Sequence, residues 1–280
     1  MLLGFTDSEF EYYYGREQKY RKMRELGFGG ADFQAFVPDN SPVFTMSETE
    51  LADYLKEEKR LADEAGVFIH QVHGPWRYPP RDATPEDLAD RRWHMERSIR
   101  GTAMLGSKVW VIHPIMPFGM GGKGDADELM EQNVAFFKPL IALAEKVGVT
   151  VCFENMPSAS FPLARCANLL ELIERVGGGE IVLDTGHAAT YGISPADEVR
   201  TCGKKLRALH IHDNDGRSDF HYFPYNNRGT IDWAAFRDAL RENGYTGVIS
   251  LECSVGNKYP PVAAEYIFRA LAEVARSLTV

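Results

Sequence analysis

Short, nearly continuous apolar runs alternate with longer amphipathic stretches along the whole chain. The runs LLGF (2–5), GGADFQAF (29–36), VFIHQVH (67–73), KVWVIHP (108–114), VTVCFEN (149–155), EIVLDTG (180–186), LRALHIH (206–212) and GVISLEC (247–253) are eight in number. Most lack the in-out alternation of a half-exposed strand, which predicts strands buried on both faces of a parallel sheet. Between them, TELADYLKEEKRLADEAG (49–66), DELMEQNVAFFKPLIALAEKVG (127–148) and TIDWAAFRDALRENG (230–244) carry apolar residues at helical spacing. Each ends on a glycine just before the next strand, as a helix closed by a left-handed residue does. TPEDLADRR and SPADEVR place proline where a helix begins. Eight such repeats with no linker or shift in composition predict an α/β chain folded as a single (β/α)8 TIM barrel domain over residues 1–280, in preference to a doubly wound sheet.

In a parallel barrel the chemistry sits where the strands end. Six consecutive apolar runs end in groups able to bind a metal: His73, His113, Glu154, Asp184 with His187 three residues on, the pair His210 and His212, and Glu252. Asp219 and His221 follow in ALHIHDNDGRSDFH (208–221), where three of the chain's eight histidines are gathered. One such residue alone reads as a hydrogen-bonded strand end. Six in register would bring carboxylates together on one rim, where desolvation and repulsion are costly without a neutralising cation. The donor types predict a divalent metal ion, Mn, Zn, Co or Mg, and the absence of a thiolate pattern excludes a structural zinc.

Composition narrows the reading further. The formal net charge of -9 speaks against a nucleic-acid partner, which needs clustered Lys and Arg. No run approaches the length of a membrane span, and the N-terminus lacks the basic and apolar segments of a signal peptide, so a cytoplasmic protein with no membrane association is expected. Cys152, Cys166, Cys202 and Cys253 show no paired spacing and read as reduced, buried thiols. No GxGxxG or P-loop pattern is present, and the glycines of GMGG (119–122) are weak evidence for a nucleotide.

Taken in order, IHQVHGP, VWVIHP, VCFEN, VLDTGH, HIHDNDGRSDFH, GTIDW and ISLEC resemble the xylose isomerase-like barrels: the sugar-phosphate isomerases and epimerases and their relatives, the type IV apurinic endonucleases. The resemblance to the ketose 3-epimerases implies a cation held by Glu154, Asp184, one histidine of HIH (His210, with His212 as the alternative) and Glu252. It also implies that Glu154 and Glu252 can act as the acid-base pair of an isomerase or epimerase working through an enediolate on a small-molecule sugar. The endonuclease branch implies additional metal ligands, matched here by His73, His113, His187, Asp219 and His221. In epimerase-like members these histidines contact substrate. Arg217 lies where the epimerases place a substrate-binding arginine, and Trp76 and the aromatics of FHYFPY are candidates to wall the pocket. The stretch HYFPYNNRGTIDW is longer than the PGxG turn of many members and keeps only Gly229, which puts a phosphorylated substrate in doubt. The alternatives are a metal-dependent hydrolase or lyase with a multinuclear zinc site, and a sugar-binding barrel without turnover. The sequence leaves open the oligomeric state, a homo-oligomer included.

Overall fold

A computed structural model describes residues 1–119, 125–256 and 259–280. Most of the GMGG glycines, with Lys123, lie outside the described residues. Eight strands occur where the apolar runs predict them: β1 (Leu3–Thr6), β2 (Gly30–Phe33), β3 (Phe68–His73), β4 (Val109–Ile112), β5 (Thr150–Glu154), β6 (Glu180–Asp184), β7 (Leu206–His210) and β8 (Ile249–Leu251). Each pairs in parallel with the next from β1 to β7, and β1 also pairs with β8. The bridge Ile211 to Leu251 brings β7 against β8, so the sheet closes into a (β/α)8 barrel.

The connections are helical. Helices α1 (Asp7–Tyr14) and α2 (Lys19–Glu25) follow β1, and α3 (Glu48–Ala65), α4 (Pro85–Met104), α5 (Ala126–Val147) and α6 (Cys166–Val176) follow β2 to β5 in turn. Helices α7 (Thr185–Thr190) and α8 (Pro195–Cys202) follow β6, α9 (Trp233–Asn243) follows β7, and α10 (Pro261–Ser277) follows β8. Their ends carry the expected chemistry. Ser47 and Glu50 form a reciprocal capping box at α3, and left-handed Gly66, Gly148, Gly177 and Gly244 close α3, α5, α6 and α9. The layer between strands and helices is apolar and largely aromatic: Phe10 stacks on Phe268 at 4.2 Å, with Phe5 and Phe28 edge-on beside them. A buried phenylalanine of this kind contributes about 1.5–3 kcal/mol. All four cysteines are buried and free. Among the described residues no helix is long and apolar enough to cross a membrane.

Strand alternation then places the site. Val111, Cys152, Val182 and Ala208 pack together inside the barrel, and two residues further along each strand direction come His113, Glu154, Asp184 and His210. With a period of two these face the same interior, one layer nearer the C-terminal mouth. β3 reaches this layer through an irregularity. Ala31 pairs with Ile69 but Asp32 pairs with Gln71, so His70 is an extra residue. Its ring fills the space above Gly4 and Gly30, where an added Cβ would lie 2.8 and 3.1 Å from it. Those two glycines are what allow a histidine into the barrel floor.

Candidate metal centre and active site

Glu154, Asp184, His210 and Glu252 come together as the strand ends predict: one donor atom from each lies within 4.8 Å of all the others. His210 Nδ1 is 2.9 Å from Glu154 Oε1 and 3.2 Å from Glu252 Oε2. Asp184 is fixed from three sides. Its backbone N–H donates to Asn155 Oδ1 at 2.7 Å, and its carbonyl accepts from Asn155 Nδ2. Its Oδ1 accepts from the backbone N–H of His187 at 2.6 Å, which caps α7. The DTGH segment is therefore a strand end and a helix start at once.

The remaining histidines surround this group. His73 Nε2 and His113 Nε2 approach Glu154 Oε2 at 3.3 and 3.5 Å. His212 Nε2 is 3.0 Å from Asp184 Oδ2, and His187 Nε2 is 3.3 Å from Asp219 Oδ2. His212 stacks on His221 with ring centroids 3.9 Å apart, and the backbone carbonyl of Glu252 lies 2.6 Å from His221 Nδ1. Gly186 is essential to this seat, because a Cβ there would intrude on the His212 ring. Three further donor groups result: His73 with Glu154 and His210, Asp184 with His187 and His212, and His212 with Asp219 and His221. The group Asp39, Asp90 and His94 lies elsewhere, and there Arg77 pairs with both carboxylates.

Of these residues, His73, His113, Glu154, His187, Asp219, His221 and Glu252 line a cavity of about 220 Å³ whose walls also include Gln34, Trp76, Met156 and Pro157, while fully buried Asp184, His210 and His212 lie behind that lining. Trp76 and His113 meet edge to face, with ring centroids 4.7 Å apart. Arg217 is exposed on its loop and is not among the cavity walls. The aromatics of FHYFPY also turn elsewhere: Phe220 and Tyr222 stack on each other, and Tyr225 sits by Trp233.

The acids of HIHDND divide by role. Asp213 Oδ1 accepts from the backbone N–H groups of Asn214, Thr230 and Ile231, and its Oδ2 accepts from Trp233 Nε1 at 2.9 Å. A Cβ on Gly229 would collide with that carboxylate. Asp215 accepts from the N–H groups of Arg217 and Ser218. These two carboxylates fold the loop, and the three histidines with Asp219 go to the site.

Charge is out of balance there. Burial opposes ionisation of Glu154, but His210 and His113 outweigh it and hold the carboxyl well below its ordinary range. Burial raises Glu252 despite His210 and His221 beside it. His113 is pushed down to about 3, chiefly by desolvation. Desolvation also pulls on His187, yet Asp184 and Asp219 carry it up to about 10. Several buried atoms remain without a hydrogen-bond partner among the described residues: Glu154 Oε2, His210 Nε2, His113 Nδ1 and Asp32 Oδ1. A buried carboxylate oxygen left without a donor, Glu154 Oε2, in a convergent group of only His, Asp and Glu ligands fits a divalent cation.

Asp32 carries no signal at the level of the sequence, since it sits inside an apolar run rather than at its end. It is wholly buried, and its Oδ2 lies 3.1 Å from His210 Nε2.

Residues 20–278 match the family described as xylose isomerase-like TIM barrel. The chain belongs to that family. An uncharacterized protein of Methanocaldococcus jannaschii is 31% identical over 211 residues, covering 71% of this chain and 68% of the relative. Among solved structures of this xylose isomerase-like fold, a D-tagatose 3-epimerase-like protein superposes with a TM-score of 0.73 at 24% identity, over 99% of both chains. The zinc-bound IOLI protein gives 0.72 at 18% identity, over 99% of this chain and 96% of that one.

Proposed function

We propose that the protein is a divalent-metal-dependent sugar isomerase or epimerase. The observation that carries this is the convergence of Glu154, Asp184, His210 and Glu252, with both glutamates lining one cavity. These four residues would hold the ion. When bound, a divalent cation supplies Lewis-acid polarisation of a substrate carbonyl and its neighbouring hydroxyl.

The protein's own groups do the rest. One of the two glutamates takes the carbon-bound proton next to the carbonyl, the electron pair moves to the carbonyl oxygen as an enediolate forms, and the other glutamate returns a proton to carbon. General acid-base help of this kind is worth ~10²- to 10⁴-fold. His187 and Asp219, paired at the cavity wall, are placed to orient a substrate oxygen. Trp76 offers an aromatic face to the apolar side of a sugar ring and excludes water. The solved relatives named for D-tagatose 3-epimerase and for bound zinc agree with this reading.

The three extra donor groups favour one second reading, a multinuclear zinc hydrolase or lyase. Metal counting separates the two. Elemental analysis of protein purified without chelator should find one divalent ion per chain. Incubation with a ketohexose panel in D2O should then show exchange of the carbon-bound proton. Two or three zinc ions per chain and no exchange would move the reading to hydrolysis, and no metal under any loading condition would sink both.

A further inference from the structure

Asp32 belongs to none of the donor groups, yet it faces one of them. Its carboxylate is wholly buried on β2, with Oδ2 3.1 Å from His210 Nε2 and accepting a 2.8 Å hydrogen bond from Gln34 Nε2. Gln34 is itself anchored, because its backbone N–H donates to Asp7 Oδ1 at 2.9 Å. Across the same imidazole, Nδ1 faces Glu154 and Glu252 at 2.9 and 3.2 Å. If those carboxylates share a cation, the nitrogen between them must present a lone pair. A neutral imidazole then carries its proton on the other nitrogen. That nitrogen is Nε2. It is buried without a hydrogen-bond partner, as is Asp32 Oδ1, and the Asp32 carboxylate is the acceptor within reach.

We propose that Asp32 is a positioning residue: it accepts the Nε2 proton of His210, fixes the tautomer whose Nδ1 lone pair faces Glu154 and Glu252, and so sets how tightly the chain holds its cation. Carboxylates behind metal-binding histidines act in this way generally, and their loss costs about 10- to 100-fold in metal affinity. The inference rests on Glu154, Asp184, His210 and Glu252 forming the metal site.

The test uses the full chain with Co²⁺ as the probe, its dissociation constant read by competition with a chelating dye and its geometry by visible absorption. D32A should bind Co²⁺ about 10- to 100-fold more weakly than the wild type and shift the absorption bands. D32N keeps an acceptor oxygen and should lose less. Q34A, which frees the carboxylate from its tether, should lose least. A merely structural role would move thermal stability and leave the Co²⁺ spectrum alone. If D32A does not fold, D32N and Q34A carry the same comparison. Wild type that binds Co²⁺ while the folded variants match it in affinity and spectrum overturns the role of Asp32 only. Wild type that takes up no Co²⁺ overturns the metal site, and this inference with it.

Discussion

Between α1, α2 and α3, buried Lys19 sets its ammonium 2.6 Å from Asp7, 2.7 Å from Glu11 and 2.9 Å from Glu58. Arg16 and Tyr20 donate further hydrogen bonds to Glu58, at 2.6 and 2.8 Å. At the barrel mouth buried Glu154 and Asp184 and half-buried Glu252 converge around His210, with no Lys or Arg among the described donors. The first cluster carries its own permanent cations. The second has only titratable imidazoles to set against its carboxylates, and among the described residues Glu154 Oε2 is left without a hydrogen-bond donor. A buried charge cluster that satisfies itself is architecture; one that does not is a receptor for whatever completes it.

The sharpest way to break this contrast is to neutralise one charge in each. Glu154→Gln or Glu252→Gln should cut solvent deuterium exchange into the sugar by ~10²- to 10⁴-fold. Glu252→Gln should leave the thermal midpoint unchanged or raised, because burial disfavours that charge, whereas Glu154→Gln should lower it, because His210 and His113 favour that one. Full exchange in either variant would refute that glutamate as a proton carrier. Lys19→Met should do the reverse. It strands Asp7 and Glu58 without their cation and should cost about 3–5 kcal/mol of stability, measured by urea unfolding, with the metal content of the folded fraction unaltered. Near-neutral unfolding would show that the Lys19 cluster is no more self-sufficient than the site.

The same cluster predicts a pH signature. Burial of Asp7 raises its carboxyl from 3.8 to about 6 even though Lys19 lies beside it. The unfolded chain releases that proton first, so this group's contribution to stability falls as pH climbs from about 4 to about 6. Lys19 works in the opposite range. Desolvation lowers its ammonium, but Asp7, Glu58 and Glu11 outweigh this and hold it above the ordinary 10.5. Its contribution is complete below that value and is lost as pH rises beyond it. Urea midpoints for wild type and Asp7→Asn across pH 4 to 7 check the acid window: the variant should lose the falling slope.

What the sequence reveals of this molecule follows from where side chains change character. Apolar runs that stop at an ionisable residue mark both strand and site, which is why Glu154, Asp184, His210 and Glu252 are legible before any coordinates. Asp32 is not legible, because Phe33 follows it and the run continues. Its inward direction follows from alternation along β2, two residues on from Gly30, whose Cβ position faces the His70 ring. The loop after β7 misleads in another way. Its acids and histidines look alike in composition, but Asp213 and Asp215 are consumed by backbone N–H groups, a local hydrogen-bonding habit that spacing alone does not separate from metal binding.

Two smaller substitutions refine the boundary between site and support. Gly186→Ala should cost about 1–3 kcal/mol and disturb His212, since the added methyl has nowhere to go but into the ring. Paired urea unfolding and zinc titration should show both effects together. Loss of stability with metal binding intact would mean that His212 relaxes without consequence for the ion.

Arg217 provides the weakest and most selective perturbation. The epimerase resemblance gives this loop a substrate-binding arginine, whereas the structure leaves Arg217 exposed, its backbone N–H donating to Asp215 Oδ1. A surface residue of this kind is worth within about 0.5 kcal/mol of stability. Arg217→Ala should therefore leave unfolding and metal content unchanged, and KM for a turned-over sugar should move by no more than about threefold. A tenfold or larger rise in KM with kcat preserved would show that the loop closes over the sugar and brings the guanidinium to it. In that event the site would extend beyond the buried ring of strand ends into the exposed segment held by Asp213 and Asp215.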